Sequence, residues 1–321
     1  MMISPLNERE RIRHKWRNRL QSILLLAGMA VLLSLCGWAL AGADGVFWAF
    51  VTGALSLLFG PQVSPWLTLR MYGAVPVHPS EMPALFQLVE RISGRAGLPH
   101  PPRLHYVPTR ILNAFAVGRR DDAALAVTEG LLRILTLREL AGVLAHEISH
   151  IRNNDLGIMT LADVISRLTS AMWLAGMVLL IASLPVLLTE GNAVPWLSIA
   201  LLVLSPTIAS LLQLALSRTR EYDADLDAAG LTGDPRGLAS ALEKLERYQG
   251  GLFETLLLPG RRVPQPSLLR THPPTRDRIA RLLALEAEAP PRFGGPAPTA
   301  LPERFRNVPS TPRWRATGLW Y

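Results

Sequence analysis

A chain of 321 residues, 49% of them hydrophobic and with a mean hydropathy of +0.24, holds one large domain or two modest ones and points towards a membrane. Its 33 Lys+Arg against 25 Asp+Glu leave a charge of +8, but the basic residues crowd the start (Arg9, Arg11, Arg13, Lys15, Arg17, Arg19) and a Pro-rich tail without the aromatic interleaving of a single-strand binder, which argues against a nucleic-acid partner. The lone Cys36 rules out an intrachain disulfide, and nothing implies an oxidising compartment.

After the basic segment, residues 20–43 form an apolar run without charge, longer than the roughly 7–15 residues of a signal-peptide core, and therefore read as a retained anchor. Three further charge-free stretches follow, at 45–69, 168–189 and 191–217; each reaches the roughly 20 residues that cross a bilayer at 1.5 Å per residue. Pro61, Pro65, Pro195 and Pro206 are expected to end or kink these helices. A buried helical hairpin in a large soluble core is the alternative for the second pair, since length alone does not separate the two. Arg9 to Arg19, Arg70, Arg167, Arg218 and Arg220 lie at one set of ends, whereas the other ends carry Asp44 and Glu190. The positive-inside rule then puts both hairpin loops outside, and both termini and all other segments in the cytoplasm.

Between the hairpins the periodicity predicts a helix over 76–98 and short strands at 103–107, 113–118 and 123–128, the last two joined by the turn Arg119-Arg120-Asp121-Asp122. Thr136-Leu-Arg-Glu139 reads as a capping box opening a helix that runs to about Asn154. Helices are expected over 221–230, 235–248 and 275–285, and a disordered tail from 289 onward. The fold class is thus mainly α with a small β-sheet, in a multi-pass membrane protein. Its segments are a basic cytoplasmic stretch (1–19), a membrane hairpin (20–69), a first part of a catalytic domain (70–167), a second hairpin (168–217), the second part of that domain (218–288) and the tail (289–321).

His146-Glu-Ile-Ser-His150 places two imidazoles one helical turn apart on one face, the spacing a tetrahedral Zn²⁺ bridges, with Glu147 beside them. Chance alone yields such a motif in roughly one chain in a hundred of this length. A catalytic zinc takes three protein ligands and leaves a position for water. Glu221 is the leading candidate for the third, with Asp225 one turn on and able to accept a ring N–H from a histidine ligand. Asp223 and Asp227 compete for these roles, but as helix positions facing away from Glu221 they read as solvated surface charges. Topology agrees: two predicted crossings separate His150 from Glu221, which returns the chain to the same side.

The HExxH motif, the Glu221-x-x-Ala224-Asp225 pattern, Thr271-His272-Pro273 with Arg278-Ile279, and Asn113-Ala-Phe-Ala116 together resemble the HtpX-like and CAAX-prenyl-protease-like membrane metallopeptidases, a gluzincin family with a zincin-type catalytic domain. HtpX-like proteins are nearest, because four spans are apparent. The resemblance implies one Zn²⁺ per chain held by His146, His150 and Glu221, and Glu147 as general base. In the family-like context His272 is a candidate donor to the oxyanion, or else a surface histidine before prolines; Arg278 either holds Asp225 or Glu221, or is an ordinary exposed arginine. Asn113, Ala114, Phe115 and Ala116 match the strand above the active site, where a peptide would bind by main-chain hydrogen bonds, or they simply pack the sheet.

The resulting expectation is a zinc endopeptidase in the lipid bilayer, facing the cytoplasm and cleaving protein or peptide substrates, membrane and misfolded proteins among them, in quality control under stress. Two alternatives stand beside it. One is a site-specific processing peptidase, the other a non-catalytic zinc-binding membrane scaffold that recruits partners through the tail. The sequence leaves the oligomeric state open.

Overall fold

The computed structural model describes residues 8–59, 65–189, 195–255 and 273–285. The tail from 289 and the hairpin-loop residue Glu190 lie outside the described residues. Mainly helical with one small sheet, the described residues divide into two compact units: those within 1–16, 63–156 and 220–321 form one, those within 17–62 and 157–219 the other.

Among the described residues the second unit draws on three helices long and apolar enough to cross a membrane: α1 (Glu8–Phe59), α6 (Asp155–Thr189) and α7 (Trp196–Thr232). Two residues with non-helical backbone, Ala41 and Gly42, break α1 into two helices, and Gly42 takes the positive φ of 59° that favours glycine. The two halves fold back tightly: a Cβ added at Gly37 would stand 2.7 Å from the Gly45 carbonyl oxygen, so only glycine fits. Trp38, Phe47 and Trp48 are exposed around this turn, where amphipathic rings suit a membrane–water boundary. Met29, Leu33, Ala49, Ala162, Ile165 and Leu216 make one buried cluster of the unit and Leu32, Cys36, Leu202 and Ala209 another, while Leu24, Val31, Leu174, Ile181 and Leu211 face outward as lipid-facing side chains do. Pro206 lies inside α7 and has no N–H to offer the Leu202 carbonyl one turn back. The Ser205 hydroxyl donates to that oxygen at 2.8 Å, so the helix continues with the group satisfied.

The other unit is organised around the predicted capping-box helix. After α2 (Pro65–Met71), β1 (Val75–Pro76) and α3 (Pro83–Ala96) come β2 (Arg103–Val107), β3 (Ala114–Arg119) and β4 (Asp122–Thr128). The helix expected from residue 76 starts later, at Pro83, because Val75 and Pro76 pair with Tyr106 and His105 as an extra strand. The sheet order is β1-β2-β4-β3, with β2 parallel to β4 and β3 antiparallel to it, a mixed sheet rather than a simple hairpin. Arg119 pairs with Asp122 across the expected turn.

Two helices follow, α4 (Glu129–Ile134), which the periodicity did not reveal, and α5 (Leu137–Asn153). In α5 the Thr136 hydroxyl accepts from the Glu139 amide, and the Glu139 carboxylate accepts from the Thr136 amide at 2.8 Å. Leu140, Leu144 and Ile148, four residues apart, are fully buried; each such side chain stabilises the fold by about 1.5–3 kcal/mol. Gly142 lets α8 (Pro235–Thr255) approach closely, since a Cβ there would lie 2.8 Å from the Leu238 backbone. α9 (Thr275–Leu283) adds Leu282 to the same core. The predicted helix at 221–230 is no separate element but the end of α7.

Candidate metal centre

With its apolar face in the core, α5 turns His146, Glu147 and His150 the other way; His146 is buried, Glu147 and His150 half-buried. Three α7 residues, Glu221, Asp223 and Asp225, lie nearby and are buried too. His146 Nε2 stands 3.5 Å from Glu221 Oε2, His150 Nε2 stands 3.6 Å from Glu221 Oε1, and the two Nε2 atoms are 3.2 Å apart. The rings meet edge to face at 88°. All three residues thus offer ligand atoms within 4.8 Å of one another.

The outer ring nitrogens are both engaged. His146 Nδ1 lies 3.0 Å from Asp225 Oδ1, and His150 Nδ1 lies 2.7 Å from Asp155 Oδ2. Imidazoles that donate Nδ1–H to carboxylates present lone pairs at Nε2, and two such lone pairs at 3.2 Å repel unless a cation or a proton stands between them. The carboxylates are held in turn. Arg278 grips Asp225 with Nε at 2.8 Å and Nη2 at 2.7 Å, and its Nη1 stands 3.5 Å from Glu221. Arg220 donates to Asp155 Oδ1 at 2.6 Å and pairs with Asp223 at 3.1 Å.

Four buried carboxylates (Glu221, Asp225, Asp155, Asp223), with half-buried Glu147 beside them, therefore face two buried guanidinium groups, and the surplus of negative charge favours a cation. Burial works to depress the His146 pKa, but the Asp225 and Glu221 hydrogen bonds outweigh it and raise that pKa to about 10. His150 is shifted upward as well: burial opposes, and the Asp155 hydrogen bond prevails. A pocket that holds protons this firmly favours positive charge at its centre. Two imidazoles and one carboxylate, each backed by a further partner, fit zinc with a position left for water.

Of the residues singled out in the sequence, the fold brings together His146, Glu147, His150, Glu221, Asp225 and Arg278, the last of these buried rather than an ordinary exposed arginine. His272 lies outside the described residues. Ala114, Phe115 and Ala116 are buried in β3, which among the described residues pairs only with β4 and so forms an edge of the sheet. Ala114 and Ala116 point into the core that includes α5, and Phe115 packs with Leu69 and Val107. Asn113, just before the strand, exchanges hydrogen bonds with Thr128.

The expectation for Asp223 and Asp227 is corrected. Both are buried, Asp223 against Arg220 and Asp227 against Lys15 at 2.6 Å and Asn153 at 2.9 Å. The partners of Asp227 lie on other elements, α1 and α5, which helix periodicity does not report; that of Asp223 lies one turn back on α7 itself and is buried with it against Asp155. Asp155 and Arg220 were missed as site residues. Asp155 follows Asn154, whose φ of 54° ends α5, so no helical spacing relates it to His150; Arg220 carried only an orientation signal.

The model of peptidase family M48 matches residues 79–286 of this chain. A protease HtpX homolog of Acaryochloris marina (strain MBIC 11017) is 40% identical over 293 residues, spanning 84% of this chain and 96% of that protein. Homologs from Desulfatibacillum aliphaticivorans (36% over 298 residues, 88% and 94%) and Pseudarthrobacter chlorophenolicus (38% over 292 residues, 84% and 96%) are similar. The crystal structure of S. mikatae Ste24p aligns at 19% identity with a TM-score of 0.44, covering 86% of this chain and 66% of that one.

Proposed function

The chain belongs to peptidase family M48 and is a membrane metalloprotease, and from that premise we propose that it is a zinc-dependent endopeptidase acting on the cytoplasmic side of a bacterial inner membrane. Its substrates on this reading are membrane or misfolded proteins, and its role is quality control. The observation that carries the catalytic part is the convergence of His146, His150 and Glu221, each ring backed by a carboxylate, beside Glu147 on the same helix turn.

His146, His150 and Glu221 hold the metal. Zinc, when bound, supplies Lewis-acid polarisation of water and of the scissile carbonyl. Glu147, half-buried beside the two histidines, takes the proton of the attacking water and passes it to the leaving amine. Arg278 keeps Asp225 ionised and aligned on His146. The edge of β3, with Asn113 just before it, takes an extended peptide by main-chain hydrogen bonds, and His272 is the proposed donor to the oxyanion. Cytoplasmic orientation is supported by the basic residues before the first span and by Arg70, Arg218 and Arg220.

Metal content and casein cleavage by the detergent-purified protein, beside Glu147→Gln, test the reading. About one zinc per chain is expected in both, with chelator-sensitive cleavage that falls by about 10²–10⁴-fold in the variant. Bound zinc without casein cleavage by the parent would turn the reading to a site-specific processing peptidase or a scaffold. Absence of zinc would remove the ligand assignment.

A further inference from the structure

A basic stretch before a first membrane span needs only solvated charges to orient the chain. Lys15 departs from that pattern. Its side chain is 22% exposed, and Nζ donates to Asp227 Oδ1 at 2.6 Å, across 212 residues of sequence. The other carboxylate oxygen of Asp227 accepts from Asn153 Nδ2 at 2.9 Å. Arg152, 4.0 Å away, is a second cation beside Asp227.

The place of Asn153 gives this contact its meaning. It is the last residue of α5, Asn154 then turns the chain at a φ of 54°, and Asp155 follows with its carboxylate on His150 Nδ1. Asp227 thus grips the turn that sets Asp155 beneath a metal ligand, and Lys15 neutralises the buried Asp227 carboxylate. The neighbouring His14 lines a cavity of about 250 Å³ with Tyr222, Asp225, Leu226 and Arg281, so the same helix end also meets α7 beside the carboxylate that supports His146. A mostly buried ion pair adds little net stability, because desolvation cancels much of the attraction; what it fixes is geometry. Lys15 lies outside the residues that the family model matches, 79–286.

We propose that Lys15 is a positioning residue of the metal centre, holding through Asp227 and Asn153 the turn that places Asp155 against His150. The basic N-terminal helix is then part of the peptidase body as well as an orientation signal. This rests on the assignment of zinc to His146, His150 and Glu221.

The test uses the full-length protein in detergent. Zinc affinity, by competition with a chelator, and the visible spectrum of the cobalt-substituted protein are measured for the parent, Lys15→Met, Lys15→Arg and Asn153→Ala. Lys15→Met is expected to bind zinc about 10–100-fold more weakly, with an altered cobalt spectrum. Lys15→Arg recovers most of the loss, because it restores the charge on Asp227. Asn153→Ala, a milder change, shifts both readouts in the same direction and decides the matter if Lys15→Met does not fold. Parent affinity and spectrum in Lys15→Met, or in Asn153→Ala where that variant has to decide, overturn the proposal, as does Lys15→Arg as impaired as Lys15→Met. A parent that binds no zinc overturns the ligand assignment first, and this inference with it.

Discussion

Arg278 is the residue on which the two halves of the metal centre depend most directly. It reaches Asp225 with two parallel N–H···O bonds, and Asp225 in turn meets His146, so a planar fork sets the angle of a ligand ring. Lysine offers a point charge and no fork. Arg278→Lys is therefore expected to fold yet bind zinc about 10–100-fold more weakly, as chelator competition would register. Arg278→Met leaves a buried carboxylate without its cation and is expected to cost about 3–5 kcal/mol of stability, read from thermal or denaturant unfolding. Unchanged zinc affinity in Arg278→Lys would place Arg278 outside the site. Fifty-three positions separate Arg278 from Asp225, and no spacing rule relates them; the resemblance alone pointed at the pair.

Among the elements, α5 carries the motif, and its start is secured by Glu139. Burial works to raise the Glu139 pKa, but hydrogen bonds from Lys244, Ser240 and Thr136 together hold it below the ordinary value of 4.5. A carboxylate with a depressed folded pKa contributes stability that is fully present above its unfolded value and is lost as pH falls through the folded one. Acid titration of the folded protein should therefore show a loss of stability beginning near pH 4.5 and continuing below it. Glu139→Gln is expected to flatten that limb and to cost about 1–3 kcal/mol at neutral pH. An acid limb identical in the two proteins would show that Glu139 does not supply it. The capping box was legible in the sequence because it is local: Thr136 and Glu139 lie within one turn. α4 was not, being only six residues long and too short for a periodicity to emerge.

For the whole molecule the open question is the side of the membrane, and the chain's own chemistry makes it testable. Cys36 is fully buried and the only thiol, so Cys36→Ala gives a background without cysteine. On it, Asp44→Cys beside the exposed turn of α1 and Glu246→Cys on the exposed face of α8 report the two sides. A membrane-impermeant maleimide is expected to label the first in intact cells and the second only after lysis. The reverse pattern would invert the topology and move the peptidase to the outer side.

By itself the sequence determined what depends on near neighbours: the HExxH spacing, the capping box, the turn between β3 and β4, and apolar runs long enough to span a bilayer. Each is written into a few consecutive residues, because helix and strand periods fix which side chains share a face. Which charges would be buried was decided only by the tertiary structure. Asp227 looks like a solvated position on an isolated helix and is buried because Asn153 and Lys15 meet it, the latter from 212 residues away, while Asp223 pairs with Arg220 on its own helix and both are buried where Arg220 reaches Asp155. Asp155 and Arg220 join across 65 residues in the same way. A buried charge is tolerated only where an opposite one is packed against it, and that pairing is a property of folded elements in contact.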